Sequence, residues 1–323
     1  MKSFVIKPND AEQRIDKFLS KAVPGLPTAL MYKYIRLKRI KVNGKRTAIN
    51  ARLKSGDVVD LYINDEFFQF EAQRYEFLGA SKKLSILYED ADILIADKSV
   101  GLLSHPDDRE YTDTLITRIH RYLYEKGEYL PDDELSFTPA LVNRIDRNTG
   151  GIVIAAKTAT ALRILNEKMK KREIHKYYLC VVHGELARKS GLLEGWLRKD
   201  EDANTVRVFN TEQPDAKPIA TKYRVLDCKE GMSLLEIELL TGRTHQIRAH
   251  FAHIGHPLVG DGKYGRNKNQ NALGYKKQFL YSYKLAFEFS SPAGNLEYLN
   301  GQGFEVPLVW FAVNFPDNIL SEH

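Results

Sequence analysis

The most informative segment of this chain is PALVNRIDRNTGGIVIAAK, residues 139–157. Its second half is a continuous apolar run, typical of a strand that is buried on both faces of a sheet. The two consecutive glycines before that run allow another backbone or a ligand to come close. In the loop ahead of them, Asp146 lies between Arg144 and Arg147. Because a loop that enters a core strand is held rigidly, the segment predicts a fixed polar site at the edge of a sheet.

Strand patterns alternate with helical patterns on either side of this segment. Helical spacing occurs in TDTLITRIHRYLYEK (112–126), ATALRILNEKMKKR (159–172) and THQIRAHFAHIG (244–255). The predicted strands are SILYEDADILIADKS (85–99, two strands), HKYYLCVVHG (175–184), TKYRVLDC (221–228), MSLLEIELL (232–240) and QFLYSYKLAFEF (278–289). Many strands with interspersed helices predict an α+β fold, built on a large mixed, mainly antiparallel sheet flanked by helices and loops.

The first 63 residues predict a small separate α/β domain. Two helical stretches are followed by a short strand that turns at Asn43-Gly44, the strongest short hairpin signal, and by a further strand. These stretches are EQRIDKFLSKA (12–22), TALMYKYIRLK (28–38), IKVNGKR (40–46) and SGDVVDLYI (55–63). Residues 64–84 show no clean period and are predicted to be a linker, so the second domain is expected to span residues 85–323.

Positive charge is concentrated in the front segment. Residues 1–63 contain 14 lysines and arginines against 5 acidic residues, the rest of the chain contains 34 against 37, and the net charge is +6. Seven of the front cations fall on the second helical stretch and the hairpin: Lys33, Arg36, Lys38, Arg39, Lys41, Lys45 and Arg46. With Tyr32 and Tyr34 among them, these residues suit RNA phosphates and base stacking. Solvated surface lysines are the alternative interpretation.

Composition and motif content exclude several classes of protein. A hydrophobic fraction of 43% and only two cysteines, Cys180 and Cys228, indicate a globular protein without a disulfide framework. We see no signal peptide and no apolar stretch of the roughly 20 residues that a membrane helix needs, so a cytoplasmic location is expected. Neither H-E-x-x-H nor paired C-x-x-C occurs, so the histidines at 183, 245, 250, 253 and 256 are expected to pack or to contact RNA. We therefore predict no metal site.

The residues around Asp146, taken alone, leave two interpretations open. Neighbouring arginines favour the charged carboxylate, so Asp146 is expected to be ionised at neutral pH and suited to acid–base or nucleophilic chemistry. An Arg-Ile-Asp-Arg string is also compatible with a surface ion-pair patch that has no catalytic role.

Three segments resemble, in the same order, the motifs of one known family. NRIDRNTGG (143–151) is similar to H-R-L/I-D-x-x-T-S/G-G, with Asn143 in place of the usual histidine. REIHKYYLCVVHG (172–184) resembles K-x-Y-x-x-x-V-x-G, and TGRTHQIRAHFAHIGHPLVGDGKYG (241–265) is very similar to G-R-T-H-Q-I-R-x-H-x-x-x-x-G-H-P-x-x-G-D-x-x-Y-G. On these motifs the chain resembles the RluA family of pseudouridine synthases. Through QRIDKFL, MYKYIRLKRIKVNGKR and LKSGDVVDLYI, the front segment resembles the small RNA-binding domain named after ribosomal protein S-four.

The resemblance implies a reaction and roles for four residues. Uridines in structured RNA would be isomerised to pseudouridine without a cofactor, with Asp146 as the catalytic carboxylate. Tyr178 would stack on the uracil, and Arg248 would hold Asp146 bidentately. Arg144 would contact the RNA where the target base leaves its stack. Attack by Asp146 as a nucleophile and removal of the 2′ proton both remain open as routes. The expected substrate is 23S ribosomal RNA, with transfer RNA second.

Two other functions compete with this one. A non-catalytic RNA-binding or ribosome-assembly factor would have no need to retain Asp146, Tyr178 and Arg248 together. A zinc deaminase that acts on a flipped base needs H-x-E and P-C-x-x-C motifs, which the chain lacks. A glycosylase would release free uracil, whereas an isomerase would not. RNA is therefore the expected partner, and we infer no obligate protein partner.

Overall fold

The computed structural model describes residues 1–69, 75–200, 205–265 and 277–315. These residues form two units, each with its own sheet and its own hydrophobic core. The α+β class predicted from the sequence is confirmed. None of the helices in the described ranges is long and apolar enough to cross a membrane.

The front unit is a four-stranded antiparallel sheet covered by two helices. Its sheet order is β1-β4-β2-β3. The elements are β1 (Lys2–Val5), α1 (Ile15–Ala22), α2 (Thr28–Arg36), β2 (Ile40–Val42), β3 (Lys45–Arg46) and β4 (Val58–Leu61). The predicted hairpin joins β2 to β3, and both Asn43 and Gly44 have the positive φ that a tight hairpin turn requires. The predicted apolar face of α1 is confirmed, because Ile15, Phe18 and Leu19 are fully buried.

The second unit is built on an eleven-stranded sheet with the path β11-β10-β12-β13-β9-β14-β8-β6-β5, from which β15 pairs with β14 and β7 with β8. The strands are β5 (Ile86–Glu89), β6 (Ile93–Lys98), β7 (Ala140–Leu141), β8 (Gly150–Ala156), β9 (Ile174–His183), β10 (Ser190–Asp200), β11 (Thr205–Phe209), β12 (Lys217–Lys229), β13 (Met232–Leu239), β14 (Leu280–Phe287) and β15 (Gly303–Glu305). Strands β14 and β8 run parallel, and the other pairings between these strands in the described ranges are antiparallel. This is the mixed, mainly antiparallel sheet expected from the sequence.

Both faces of this sheet are covered, which explains the unbroken apolar run in β8. Ile152 and Ile154 belong to the core on one face, whereas Val153 and Ala155 belong to the core on the other. Three helices flank the sheet: α3 (Leu115–Glu125), α4 (Ala159–Lys171) and α5 (Gln246–His253). The side chains of Thr114 and Thr158 cap α3 and α4 by accepting backbone N–H groups of their first turns.

The stretch predicted to be a linker contributes to both cores at its two ends. Phe67 and Phe68, in a 3₁₀ turn, pack against the front core, and Phe77 is buried in the second unit. Residues 70–74 of this stretch lie outside the described residues.

Direct hydrogen bonds join the two units. Asp10 is fully buried, and its Oδ1 accepts the backbone N–H and the hydroxyl of Ser136 at 2.9 and 2.6 Å. The Asn9 side chain accepts the N–H of Ala159, the first residue of α4, at 3.2 Å. Leu135 packs against the front core. The front unit is therefore docked on the second unit in this structure.

One prediction about the front unit is wrong. Tyr34 was expected to be available for base stacking, but its side chain lies in the front core and is 8% exposed. The Arg39 guanidinium lies 5.4 Å from the centre of the Tyr34 ring and covers it further. An exposed tyrosine does stand near the basic residues, namely Tyr62, whose ring lies 5.1 Å from the Lys41 ammonium.

Candidate active site

Two adjoining cavities meet at the loop that precedes β8. The inner pocket, about 300 Å³ in volume, is lined by all four residues singled out by the motifs: Arg144, Asp146, Tyr178 and Arg248. The outer pocket, about 740 Å³, contains His105, Arg109, Arg147 and Lys263 in its wall. Asp146 and Arg248 line both pockets, so the carboxylate stands at their junction.

Hydrogen bonds fix the backbone on both sides of the Asp146 side chain. The hydroxyl of buried Ser104 donates to the Ile145 carbonyl at 2.9 Å, and the Thr149 N–H donates to the Asp146 carbonyl at 3.1 Å. The Asp146 side chain is 29% exposed, and its Oδ2 lies 3.7 Å from His245 Nε2. Burial lowers the pKa of His245, while the nearby Asp146 charge opposes that shift. The site thus presents a fixed, accessible carboxylate beside an imidazole.

Arg248 contacts Asp146 through a single nitrogen, so the expected bidentate grip on Asp146 is wrong. Its Nη1 donates to Asp146 Oδ2 at 3.2 Å. The bidentate partner is Asp261, which accepts from Nε at 2.7 Å and from Nη2 at 2.9 Å. Although burial lowers the pKa of Arg248, its hydrogen bonds and ion pair with Asp261 raise it above the usual range. Arg248 is therefore a permanent cation with one N–H group aimed at Asp146.

Asp261, which the motifs did not single out as a site residue, is fully buried beside Arg248. Its Oδ1 also accepts the backbone N–H groups of Lys263 and Tyr264, at 2.9 and 3.2 Å. Burial would raise the pKa of Asp261, but the bonds from Arg248 hold it below the usual range. The acid of the Gly-Asp-Gly turn thus both shapes the turn and fixes the arginine.

Tyr178 occupies the position on β9 that its motif predicts. Its side chain lines the inner pocket and is 5% exposed. Burial raises the pKa of the Tyr178 hydroxyl to about 12, so the hydroxyl is neutral at physiological pH. Tyr177, the next residue, packs with the core on the opposite face of the sheet. The alternation along β9 therefore directs one of the two tyrosines to the pocket.

Arg144 is exposed at the mouth of both pockets. In the described part of the chain, no carboxylate lies within ion-pair distance of its guanidinium. Arg144 is therefore not neutralised by an acidic neighbour, and its charge remains available to a ligand.

Lys98 was not singled out from the sequence, yet it supports the Asp146 loop from beneath. Its side chain is fully buried at the end of β6, and its ammonium donates to the carbonyls of Leu102 at 2.6 Å and of Arg147 and Ser99 at 3.2 Å each. Burial lowers the pKa of Lys98 to about 7, against the opposing charges of Asp146 and Asp97. The sequence signal for this supporting role was the position of a lysine at the end of a buried apolar strand, since lysines are seldom fully buried without a partner.

Two glycines are required for the backbone to close around the site. Gly151 has φ +113°, and a Cβ there would stand 2.1 Å from the Ser282 carbonyl oxygen on β14. Gly260 has φ +73°, and a Cβ there would stand 1.9 Å from the Lys277 carbonyl oxygen. The close backbone approach expected of the consecutive glycines Gly150 and Gly151 is confirmed at Gly151.

Four histidine side chains near the site have protein partners. His245 Nδ1 lies 2.9 Å from the Tyr264 hydroxyl, and His250 Nδ1 lies 3.1 Å from that of Thr221. His253 contacts Asn210 at 2.8 Å, and His256 contacts the His183 carbonyl at 2.9 Å. Among the described residues, no group of three or more His, Cys, Asp or Glu side chains is arranged to hold a metal ion.

The seven basic residues of the front unit form what we call the front patch: Lys33, Arg36, Lys38, Arg39, Lys41, Lys45 and Arg46. They follow one another from α2 through the β2–β3 hairpin. Lys41 is half-buried and the other six are exposed. Within the described ranges, none of the seven forms an ion pair with a carboxylate, so the front patch keeps its positive charge.

The α+β fold carries a fixed aspartate, an aromatic wall and Arg144, which has no acidic partner among the described residues, and a basic unit precedes it. This combination suits an enzyme that acts on a polyanion. The family model described as RNA pseudouridylate synthase matches residues 92–253, and the model of the S4 domain matches residues 13–59. The chain therefore belongs to the RNA pseudouridine synthase family and is an RNA pseudouridine synthase with an S-four domain in front.

Individual relatives support this assignment. An uncharacterized RNA pseudouridine synthase of Mycoplasma genitalium is 34% identical over 290 residues, which cover 88% of each chain. Ribosomal large subunit pseudouridine synthase C of Vibrio parahaemolyticus is 30% identical over 293 residues, 87% of this chain and 86% of that protein. The structure of human RNA Pseudouridylate Synthase Domain Containing 4 matches 71% of this chain and 90% of its own, with a TM-score of 0.55 at 20% identity. That structural likeness supports the fold.

Proposed function

We propose that the chain isomerises specific uridines of the large-subunit ribosomal RNA, with Asp146 as its catalytic carboxylate. The observation that carries the proposal is the Asp146 side chain itself. It is partly exposed at the junction of two pockets, 3.2 Å from a guanidinium that Asp261 holds in place. A carboxylate fixed in this way is aimed at whatever enters the inner pocket.

The reaction breaks the bond between uracil N1 and sugar C1′ and forms a bond between uracil C5 and the same C1′. A proton leaves C5 and a proton is taken up at N1, so no electrons are exchanged with another molecule. Asp146 acts either by attacking as a nucleophile or by removing the 2′ proton of the sugar. Both routes require an accessible carboxylate beside the sugar, and the geometry of Asp146 is compatible with each.

Tyr178 and Arg144, which also line the inner pocket, are the residues we propose to bind the target nucleotide. The flat, buried ring of Tyr178 suits stacking on a uracil that has to turn after it detaches. Arg144, exposed and without an acidic partner in the described ranges, suits contact with the RNA from which the base is flipped. Flipping costs a few kcal/mol of lost stacking, which protein contacts such as this one have to offset.

Ribosomal RNA is proposed as the substrate because of the relatives and the front unit. Several relatives at about 30% identity are named ribosomal large subunit pseudouridine synthase C. The front patch offers seven cations to RNA phosphates. We propose that residues 1–63 are the RNA-binding domain, that residues 64–84 link it to the catalytic domain at 85–323, and that the enzyme works in the cytoplasm. Transfer RNA is the second candidate substrate.

Mapping of pseudouridine tests the proposal. Cellular RNA from strains with and without the gene is compared by carbodiimide-based mapping, and the deletion is complemented with wild type, with Asp146→Asn or with Asp215→Asn. Asp215 is exposed and lies in a turn outside both pockets, so its variant is the matched control. Signals that disappear from 23S RNA, and return with wild type and Asp215→Asn alone, would support the proposal.

Other outcomes separate the alternatives. Loss of signals from transfer RNA would change the proposed substrate to transfer RNA. It would leave the proposed pseudouridine synthase activity unchanged. Restoration by Asp146→Asn would exclude Asp146 as the catalytic carboxylate. Unchanged maps, together with a defect in ribosome assembly, would favour the non-catalytic RNA-binding factor.

A further inference from the structure

A third cavity, which we call the basic groove, continues from the inner pocket. It has a volume of about 330 Å³, and its walls include Lys170, Arg172, Lys176, Glu238 and Arg243. Lys176 and Arg243 also line the inner pocket, so the two cavities are continuous. The basic groove shares no lining residue with the outer pocket. The inner pocket therefore lies between the outer pocket and the basic groove.

The charge of the basic groove is not compensated by the protein. In the described part of the chain, none of the side chains of Lys170, Arg172, Lys176 and Arg243 has a carboxylate within ion-pair distance. The acid in the wall, Glu238, is already engaged by Lys222 at 2.9 Å. His175 approaches the same acid at 3.2 Å. A surplus of positive charge thus faces the cavity.

Neighbouring lysines show that this surplus is local. Lys168 pairs with Glu173 at 2.7 Å, and Lys171 pairs with Glu167 at 2.6 Å. Both belong to α4, as does Lys170, yet neither of them lines the basic groove. At the end of this helix, the cations outside the groove are therefore neutralised, whereas the one inside it is not.

Lys176 lies where the basic groove meets the inner pocket, the proposed position of the base. It stands two residues before Tyr178 on β9, so both side chains lie on the same face of the strand. Burial lowers the pKa of Lys176, which reflects loss of water around its ammonium. A partly desolvated ammonium without a carboxylate is a favourable site for a phosphate, because the anion replaces the missing water and charge.

We propose that the basic groove binds the phosphodiester backbone of the RNA strand on one side of the target uridine. This inference rests on the proposed function, because it takes the inner pocket as the place of the target nucleotide. The strand then runs from the outer pocket, past Asp146, into the basic groove. RNA is the occupant we favour over an acidic protein segment because the groove opens directly into the pocket that the base enters.

The test uses RNAs of defined polarity. Two nonamers each contain one uridine, placed second from the 5′ end in one and second from the 3′ end in the other, with adenosine elsewhere. Binding is measured over a range of salt concentrations in the Asp146→Asn background, so that no turnover occurs. Lys170→Gln/Arg172→Gln removes two groove cations. Lys171→Gln removes a neighbouring cation that is paired with Glu167 and lies outside the groove.

We expect the double variant to bind one of the two nonamers roughly tenfold more weakly at low salt. For that nonamer, the slope of log affinity against log salt should fall by roughly 1.4, which is about 0.7 for each phosphate contact on a single strand. The other nonamer should change less than twofold, and Lys171→Gln should match the parent on both. Equal weakening of both nonamers would overturn the proposal, as would unchanged slopes, the result expected if an acidic protein segment fills the groove.

The outcomes of this experiment separate the groove proposal from the proposed function. A side-specific effect on the nonamers, together with unchanged pseudouridine maps in cells, would reject the proposed function and leave the groove as an RNA site. Maps that lose signals, together with unchanged nonamer binding, would reject the groove alone.

Discussion

Asp261 accepts two hydrogen bonds from Arg248, at 2.7 and 2.9 Å, and so fixes the plane of the guanidinium. The remaining Nη1 reaches Asp146 at 3.2 Å. Asp146, the proposed catalytic acid, is therefore oriented by a second acid, through an arginine placed between them. This arrangement makes the activity sensitive to a residue that does not touch the substrate in the proposed mechanism.

Asp261→Asn should reduce both the rate and the stability. The amide keeps the shape but removes the charge opposite a buried guanidinium, which costs about 3–5 kcal/mol when a buried pair is broken outright. We expect a loss of roughly 10–100-fold in the single-turnover rate, as is typical when a supporting residue is lost. Single-turnover assays and urea unfolding measure the two effects. A rate equal to that of Asp215→Asn would show that Asp261 has no positioning role.

Arg248→Lys should retain a positive charge but lose the paired hydrogen bonds to Asp261 that leave one N–H group for Asp146. A lysine ammonium cannot donate in parallel to Asp261 and also reach Asp146. We expect a loss of about 100-fold in kcat, with less than a threefold change in the affinity for RNA, because the exposed cations are untouched. Rapid-quench kinetics and filter binding separate the two quantities. A drop in affinity with an unchanged kcat would instead assign Arg248 to RNA binding.

Lys98→Met should change how stability depends on pH. Burial lowers the pKa of Lys98 to about 7 in the folded chain, whereas an unfolded lysine titrates near 10.5. Between these values the unfolded chain binds more protons, so this lysine makes the wild type more stable as pH rises through that window. The unfolding free energy of wild type minus that of Lys98→Met should therefore rise from pH 7 to 10, by at most about 1.4 kcal/mol per unit.

Tryptophan fluorescence during urea unfolding reports this difference, because Trp196 and Trp310 both lie in the second unit. Lys83→Met, at an exposed lysine, is the matched control and should give a flat difference. A flat difference for Lys98→Met as well would mean that the three carbonyls around the ammonium keep it charged.

Neutralising the front patch should flatten the salt dependence of RNA binding. Lys33→Gln/Arg36→Gln/Lys45→Gln removes three exposed cations that have no acidic partner among the described residues. If each contacts a phosphate of a structured RNA, the salt slope should fall by about 0.9 per contact on a duplex. Fluorescence anisotropy at several salt concentrations measures the slope. Lys17→Gln, at an exposed lysine of α1, is the control, and an equal effect there would point to general charge rather than to the patch.

The spacing of apolar residues predicted helices and strands, and the motifs predicted which residues line the site. Neither predicted which of those residues contact one another. The buried face of α1 follows from the spacing of Ile15, Phe18 and Leu19, because each turn of a helix repeats the same environment. Arg248 pairs with Asp261 because the chain folds back between them over a separation of 13 positions, and a helical or strand period does not predict such a path. The burial of Tyr34 likewise depends on contacts with the distant Phe67.

Helix α4 has a consequence for the way in which an RNA is chosen. Its first residue, Ala159, is tied to Asn9 of the front unit, and near its other end Lys170 enters the wall of the basic groove. With 13 residues at 1.5 Å each, the helix is a strut about 20 Å long. If the front unit and the basic groove both bind RNA as proposed, this helix sets the distance between the docked front unit and the groove, and an RNA that binds at both places has to match that distance.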